Sequence, residues 1–131
     1  MKTLKVLFCA LALSVFAISC SSDDDDSTKV KYQIVGIDNA VTQIQYKKGN
    51  GSMETLTDYT DFAGSGDATT VSVSNFPFTA DLKVTVNNTT NAVKTYSLAI
   101  YVDGEVEDMT PFSVPAMSTA TGEVDFLIAN E

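Results

Sequence analysis

Tyr96-Ser97-Leu98-Ala99-Ile100-Tyr101-Val102-Asp103-Gly104-Glu105-Val106-Glu107-Asp108-Met109 is the stretch that decides the fold. Tyr96, Leu98, Ile100 and Val102 recur at a period of two, which places them on one face of a strand. Asp103-Gly104 then reads as a two-residue type I′ turn, because that turn needs φ > 0 at both positions. Glu105 to Met109 is the return strand, so the stretch is a β-hairpin.

The same alternation extends in both directions. Val30, Tyr32 and Ile34 share a face, with Lys31 and Gln33 opposite. Ile44 and Tyr46 alternate with Gln43, Gln45 and Lys47; the Gly49-Asn50-Gly51 turn follows, and Met53 to Thr57 completes a hairpin. Thr70 to Ser74 is a short strand. Leu82, Val84 and Val86 alternate with Lys83, Thr85 and Asn87, and Asn88 to Asn91 is a polar turn. Val124, Phe126 and Ile128 form the final apolar alternation. Pro77 and Pro115 sit where edges or strand starts tolerate them. No stretch has a helical period. Seven or eight short strands in the 102 residues from Val30 to Glu131 predict one all-β domain, an antiparallel sandwich of the immunoglobulin-like size or a barrel.

Composition narrows the chemistry. The chain has 131 residues, 8 lysines, no arginine, 17 acids and no histidine, for a net charge of −9. Without histidine there is no Ser-His-Asp triad, Cys-His dyad or His-ligated metal. Without arginine there is no bidentate phosphate clamp. The negative charge argues against nucleic acid as a partner. Paired carboxylates are the remaining catalytic option. Asp58, Asp61 and Asp67 share a loop, and Glu105, Glu107 and Asp108 follow the Asp-Gly turn. A sandwich of this size has little material for the cleft that two-carboxylate chemistry needs. They read as solvating acids, and no cofactor is expected.

The first 19 residues have the parts of a secretory signal. Lys2 and Lys5 precede the 13 apolar-rich residues Val6 to Ile18, a run short for a bilayer span. The run ends Ala17-Ile18-Ser19-Cys20, which resembles the lipobox of bacterial lipoproteins, whose cysteine carries the lipid and becomes residue one. Cys9 would leave with the signal and Cys20 would be acylated (thioether lipid and palmitate-type chains), so no thiol remains for a disulfide. Cys20 to Lys29 is then the lipidated cysteine and an acidic tether. Ser22-Asp23-Asp24-Asp25-Asp26 is a solvated run that resembles the surface-export signal of Bacteroidetes-type lipoproteins. Its flexibility leaves no fixed cage for calcium. Outer-membrane attachment, at the cell surface, is the expected location. Cleavage would leave six lysines against 17 acids.

The order of motifs resembles a family. Val30-Lys31-Tyr32-Gln33-Ile34-Val35-Gly36, Ile44-Gln45-Tyr46 with its Gly-Asn-Gly turn, Ser74-Asn75-Phe76-Pro77-Phe78, and Leu98 to Val106 around Asp103-Gly104 are similar to the MmpS-like domain over about residues 30–108. That resemblance implies an immunoglobulin-like β-sandwich and a role as a membrane-anchored accessory of an envelope transport system. The family's transmembrane helix and late cysteine pair have no counterpart here.

Aromatic residues are the other candidates. Tyr32, Tyr96 and Phe126 lie on inward alternations and read as core. Tyr59 and Phe62 in the Asp58–Asp67 loop, with Tyr101 pointing away from Ile100 and Val102, are the candidate contact surface. Asn87-Asn88-Thr89 has the spacing of a glycosylation acceptor and reads as a turn. The sequence therefore predicts a non-catalytic envelope lipoprotein that docks to an envelope protein, with capture of a glycan or small molecule as the alternative.

Overall fold

The computed structural model describes residues 27–63 and 67–129; the signal segment, Cys20, Ser22 and Asp23 to Asp26 lie outside the described residues. Eight strands form two four-stranded antiparallel sheets. They are β1 (Thr28–Val35), β2 (Val41–Lys47), β3 (Met53–Leu56), β4 (Ala68–Val73), β5 (Phe78–Asn88), β6 (Lys94–Val102), β7 (Glu105–Val114) and β8 (Ser118–Ile128). A short helix, α1 (Thr60–Ala63), lies between β3 and β4. Sheet A has the order β4-β1-β6-β7, and sheet B has β3-β2-β5-β8. The all-β sandwich expected from the alternation is what the chain forms.

The core is the set of alternating residues facing the other sheet. Val30, Tyr32, Ile34, Leu98 and Ile100 from sheet A meet Ile44, Leu82, Val84 and Val86 from sheet B, all fully buried. Burying one such aliphatic side chain contributes about 1.5–3 kcal/mol. Tyr32 spans the sandwich. Its ring lies 5.5 Å from that of Tyr46, and its hydroxyl donates to the Lys47 carbonyl at 2.7 Å. The backbone of Asp81 also bonds this hydroxyl, and burial pushes its pKa well above the ordinary tyrosine value. One hydroxyl thus satisfies backbone groups on both central strands of sheet B.

The turns follow their residues. Asp103 and Gly104 have φ of 49° and 90°, and Val102 pairs with Glu105 across them, as a type I′ turn requires. Asp103 also ties the turn to β1, since Lys29 N–H donates to Asp103 Oδ1 at 2.9 Å and Asp103 N–H donates to the Lys29 carbonyl at 2.8 Å. At the opposite end, buried Asn88 donates to the carbonyls of Ala92, Val114 and Pro115, and its Oδ1 accepts from the N–H and hydroxyl of Thr90. Asn87 and Asn88 are therefore the end of β5, paired with Thr119 and Ser118, which corrects their reading as a turn; the turn begins after them, held by the Asn88 side chain.

Two strands are longer than the alternation suggested. β7 continues through Pro111, which is tolerated because β7 is an edge strand of sheet A. β8 begins at Ser118. Its inward residues Ser118, Ala120 and Gly122 are small, and at Gly122 the Phe112 ring crosses from β7 to fill the space: a Cβ there would lie 2.6 Å from it. Small inward residues carry no apolar period, so this half of the strand is silent in sequence.

Candidate docking surface

The three candidate aromatic residues do not share a surface. Asp58 accepts from the N–H and hydroxyl of Thr60 at 2.9 and 2.6 Å, and these bonds hold its carboxyl below the usual range. They start α1 at Thr60, and Phe62 N–H donates to the Tyr59 carbonyl at 3.1 Å. The turn drives Phe62 inward, where it is fully buried with its ring 6.1 Å from Tyr46. Phe62 is therefore core, a correction to its reading as a contact residue. The connection carries the chain from sheet B to sheet A, and an apolar side chain is needed to close that side. Tyr59 is half-buried against the same core.

Tyr101 is on the outer face of sheet A and has company there. Register sets the rows of this face: Lys31 opposite Tyr101 opposite Val106, Gln33 opposite Ala99 opposite Met109, and Val35 opposite Ser97 opposite Pro111. Val35, Val106 and Met109 are 45%, 51% and 48% exposed. Ala99 is fully covered. Lys31 Nζ stands 4.3 Å from the centre of the Tyr101 ring, so the ring is held flat by a cation–π contact. The result is an apolar patch on a stiff sheet, with one ammonium at its margin.

The patch was hidden in sequence by a β-bulge. Ile100 pairs with Asp108 and Tyr101 with Val106, leaving Glu107 as the extra residue. The bulge shifts the phase of β7, so Val106 and Met109 come to the same outer face although they are three residues apart.

The outer face of sheet B differs. Its rows are Gln45, Lys83 and Glu123, then Gln43, Thr85 and Thr121, then Asn87 and Thr119. Thr85 and Thr121 hydroxyls lie 3.2 Å apart, and Thr119 donates to Asn87 at 3.1 Å. Only toward the hairpin end do Met53 and Leu127 break this polar surface.

Of the four edge strands β3, β4, β7 and β8, the edges β7 and β8 are poor templates for an added strand. β7 carries the Glu107 bulge and Pro111, and β8 carries exposed Glu123 and Asp125. These are the features that block strand addition.

The carboxylates take other roles. Asp38 accepts from Lys94 Nζ, the Tyr96 hydroxyl and Ala40 N–H at 2.9, 2.9 and 3.1 Å. Burial raises its pKa, but these bonds outweigh it and hold the carboxyl below its ordinary value. Tyr96 moves the other way, raised by burial and by the adjacent Asp38. Among the described residues no group of three His, Cys, Asp or Glu side chains could hold a metal ion. No family model matches the chain, and no curated protein matches it.

Proposed function

We propose that the chain is a non-catalytic lipoprotein of the outer envelope, lipidated at Cys20, whose sandwich docks to an envelope protein through the outer face of sheet A. The observation that carries this reading is the patch of Val35, Tyr101, Val106 and Met109, apolar and half-exposed while the opposite outer face is largely polar. Contiguous apolar surface on a soluble domain marks an interaction site. The features of β7 and β8 disfavour strand addition at those two edges.

The anchor fits this arrangement. Residues 21–27, fully extended, reach about 25 Å, so the domain stays close to the membrane and to proteins in it. Proximity raises the effective concentration of a membrane partner, which lets a small patch suffice. The resemblance in motif order to MmpS-like domains supports a partner in a membrane transport system, and the resemblance of the acidic run after Cys20 to a surface-export signal supports a cell-surface location.

The test is photocrosslinking in intact cells, with a crosslinking residue at position 109 and a control at position 121 on the other face. One discrete adduct from 109 and none from 121 is expected, with the adduct lost in Val106→Asp. Equal adducts from both faces would remove the docking assignment. Metabolic palmitate labelling that survives Cys20→Ala would remove the anchor.

A further inference from the structure

At the end of the sandwich where β1 begins, the β2–β3 hairpin and the segment before β5 border a half-open pocket of about 180 Å³, lined in part by Lys47, Asn75, Pro77, Phe78 and Thr79. We infer that it is a binding site for a monoanionic ring compound, a carboxylate-bearing sugar residue such as a hexuronate. This site is separate from the sheet A face and does not depend on the docking reading.

Four features carry the inference. Phe78 is nearly buried and, with Pro77, gives the cavity an apolar wall on which a flat ring can lie. Lys47 Nζ stands 6.0 Å from the centre of that ring. Its neighbour Lys48 pairs with Glu54 and Lys94 pairs with Asp38, whereas Lys47 has no carboxylate within ion-pair distance among the described residues. In an acidic chain, an ammonium left unpaired beside a cavity is an anion site in search of its anion. The amide of Asn75 and the hydroxyl of Thr79 make no side-chain hydrogen bond among the described residues, so both are available to sugar hydroxyls.

The rim is pre-formed. Asn50 Oδ1 accepts from the N–H and hydroxyl of Ser52 at 3.0 and 2.7 Å, and Gly51 N–H donates to the Lys48 carbonyl at 2.9 Å. Gly49 lies so close to β4 that a Cβ would come within 1.8 Å of the Ser72 carbonyl oxygen. A rim braced in this way loses little freedom on binding.

Size and charge set the ligand class. The volume is below that of drug-sized sites and suits a single ring. The lining has one cation and the chain has no arginine, so a doubly charged phosphate would be undercompensated in a negative field. A monoanionic carboxylate meets Lys47 as one charge-assisted hydrogen bond.

The test is an NMR titration of the full chain in detergent with sodium glucuronate, glucose and acetate. The inference expects saturable shifts of the amides of residues 49–51, 75 and 79 with glucuronate, and much smaller ones with glucose and acetate. Lys47→Met should weaken glucuronate binding about tenfold or more, the worth of one charged hydrogen bond, while Lys48→Met leaves it unchanged. The Lys47 carbonyl, which holds the Tyr32 hydroxyl, is backbone and survives the substitution. Equal responses to glucose and glucuronate would overturn the anion assignment, and equal responses to acetate and glucuronate would overturn the ring. Absence of shifts with glucuronate overturns the site.

Discussion

Asp81 is a destabilising residue at neutral pH, and replacing it with Asn should strengthen the fold. It lies on the outer face of sheet B, directly opposite Asp125, with Glu123 diagonal to it and Lys83 opposite Glu123. Burial, then the hydrogen bond and charge of Glu123, push its carboxyl up to about 6, with Asp125 adding to the repulsion and Lys83 opposing it. Its Oδ1 is buried without a hydrogen-bond partner. A rise of about two units corresponds to about 3 kcal/mol. Asp81 is half-exposed, so solvent screens much of this, and about 1 kcal/mol is the expected effect. The folded state holds the proton more tightly than the unfolded chain. The penalty is therefore complete above pH 6, is relieved as pH falls from about 6 to about 4, and is absent below that. Asp81→Asn should raise Tm by about 4–8 °C at pH 7.5. It should also flatten the rise in stability between pH 7 and pH 4.5. Thermal unfolding followed by circular dichroism at pH 7.5 and 4.5 reads both. A variant no more stable than the wild type at pH 7.5, or one with an unchanged pH slope, would refute the reasoning.

Other substitutions test the packing. Asn88→Ala removes the ties to three carbonyls and to Thr90 at the loop end, and should cost about 2–4 kcal/mol in chemical denaturation. Gly122→Val should cost about 1–3 kcal/mol, because the Phe112 ring occupies the space of the new side chain; recovery in Gly122→Val/Phe112→Leu would identify the clash as the cause. Asp38 has a lowered pKa, so its contribution is present at neutral pH and falls away in acid; Asp38→Asn should lower stability at pH 7 and cost less at pH 2.5, read by Tm at the two values.

Much of the sandwich was legible because a strand's inside and outside alternate locally. Tyr96, Leu98 and Ile100 declare their face by spacing alone, and Asp103-Gly104 declares its turn by the φ values it needs. Phe62 was misread because its direction depends on a cap from Asp58 and on a gap between two sheets that local sequence does not contain. The apolar patch was missed for a related reason, since the bulge at Glu107 breaks the period that would have joined Val106 to Met109.

The amino-acid sequence by itself determined the class of fold and most of its turns, through period-two burial and backbone preferences that act over a few residues. Only the tertiary structure decided which strands neighbour each other and which outer face is apolar. It also brought Lys47 to Phe78 and left the ammonium unpaired beside a cavity. Those outcomes depend on contacts between residues distant in the chain, and no local pattern encodes them.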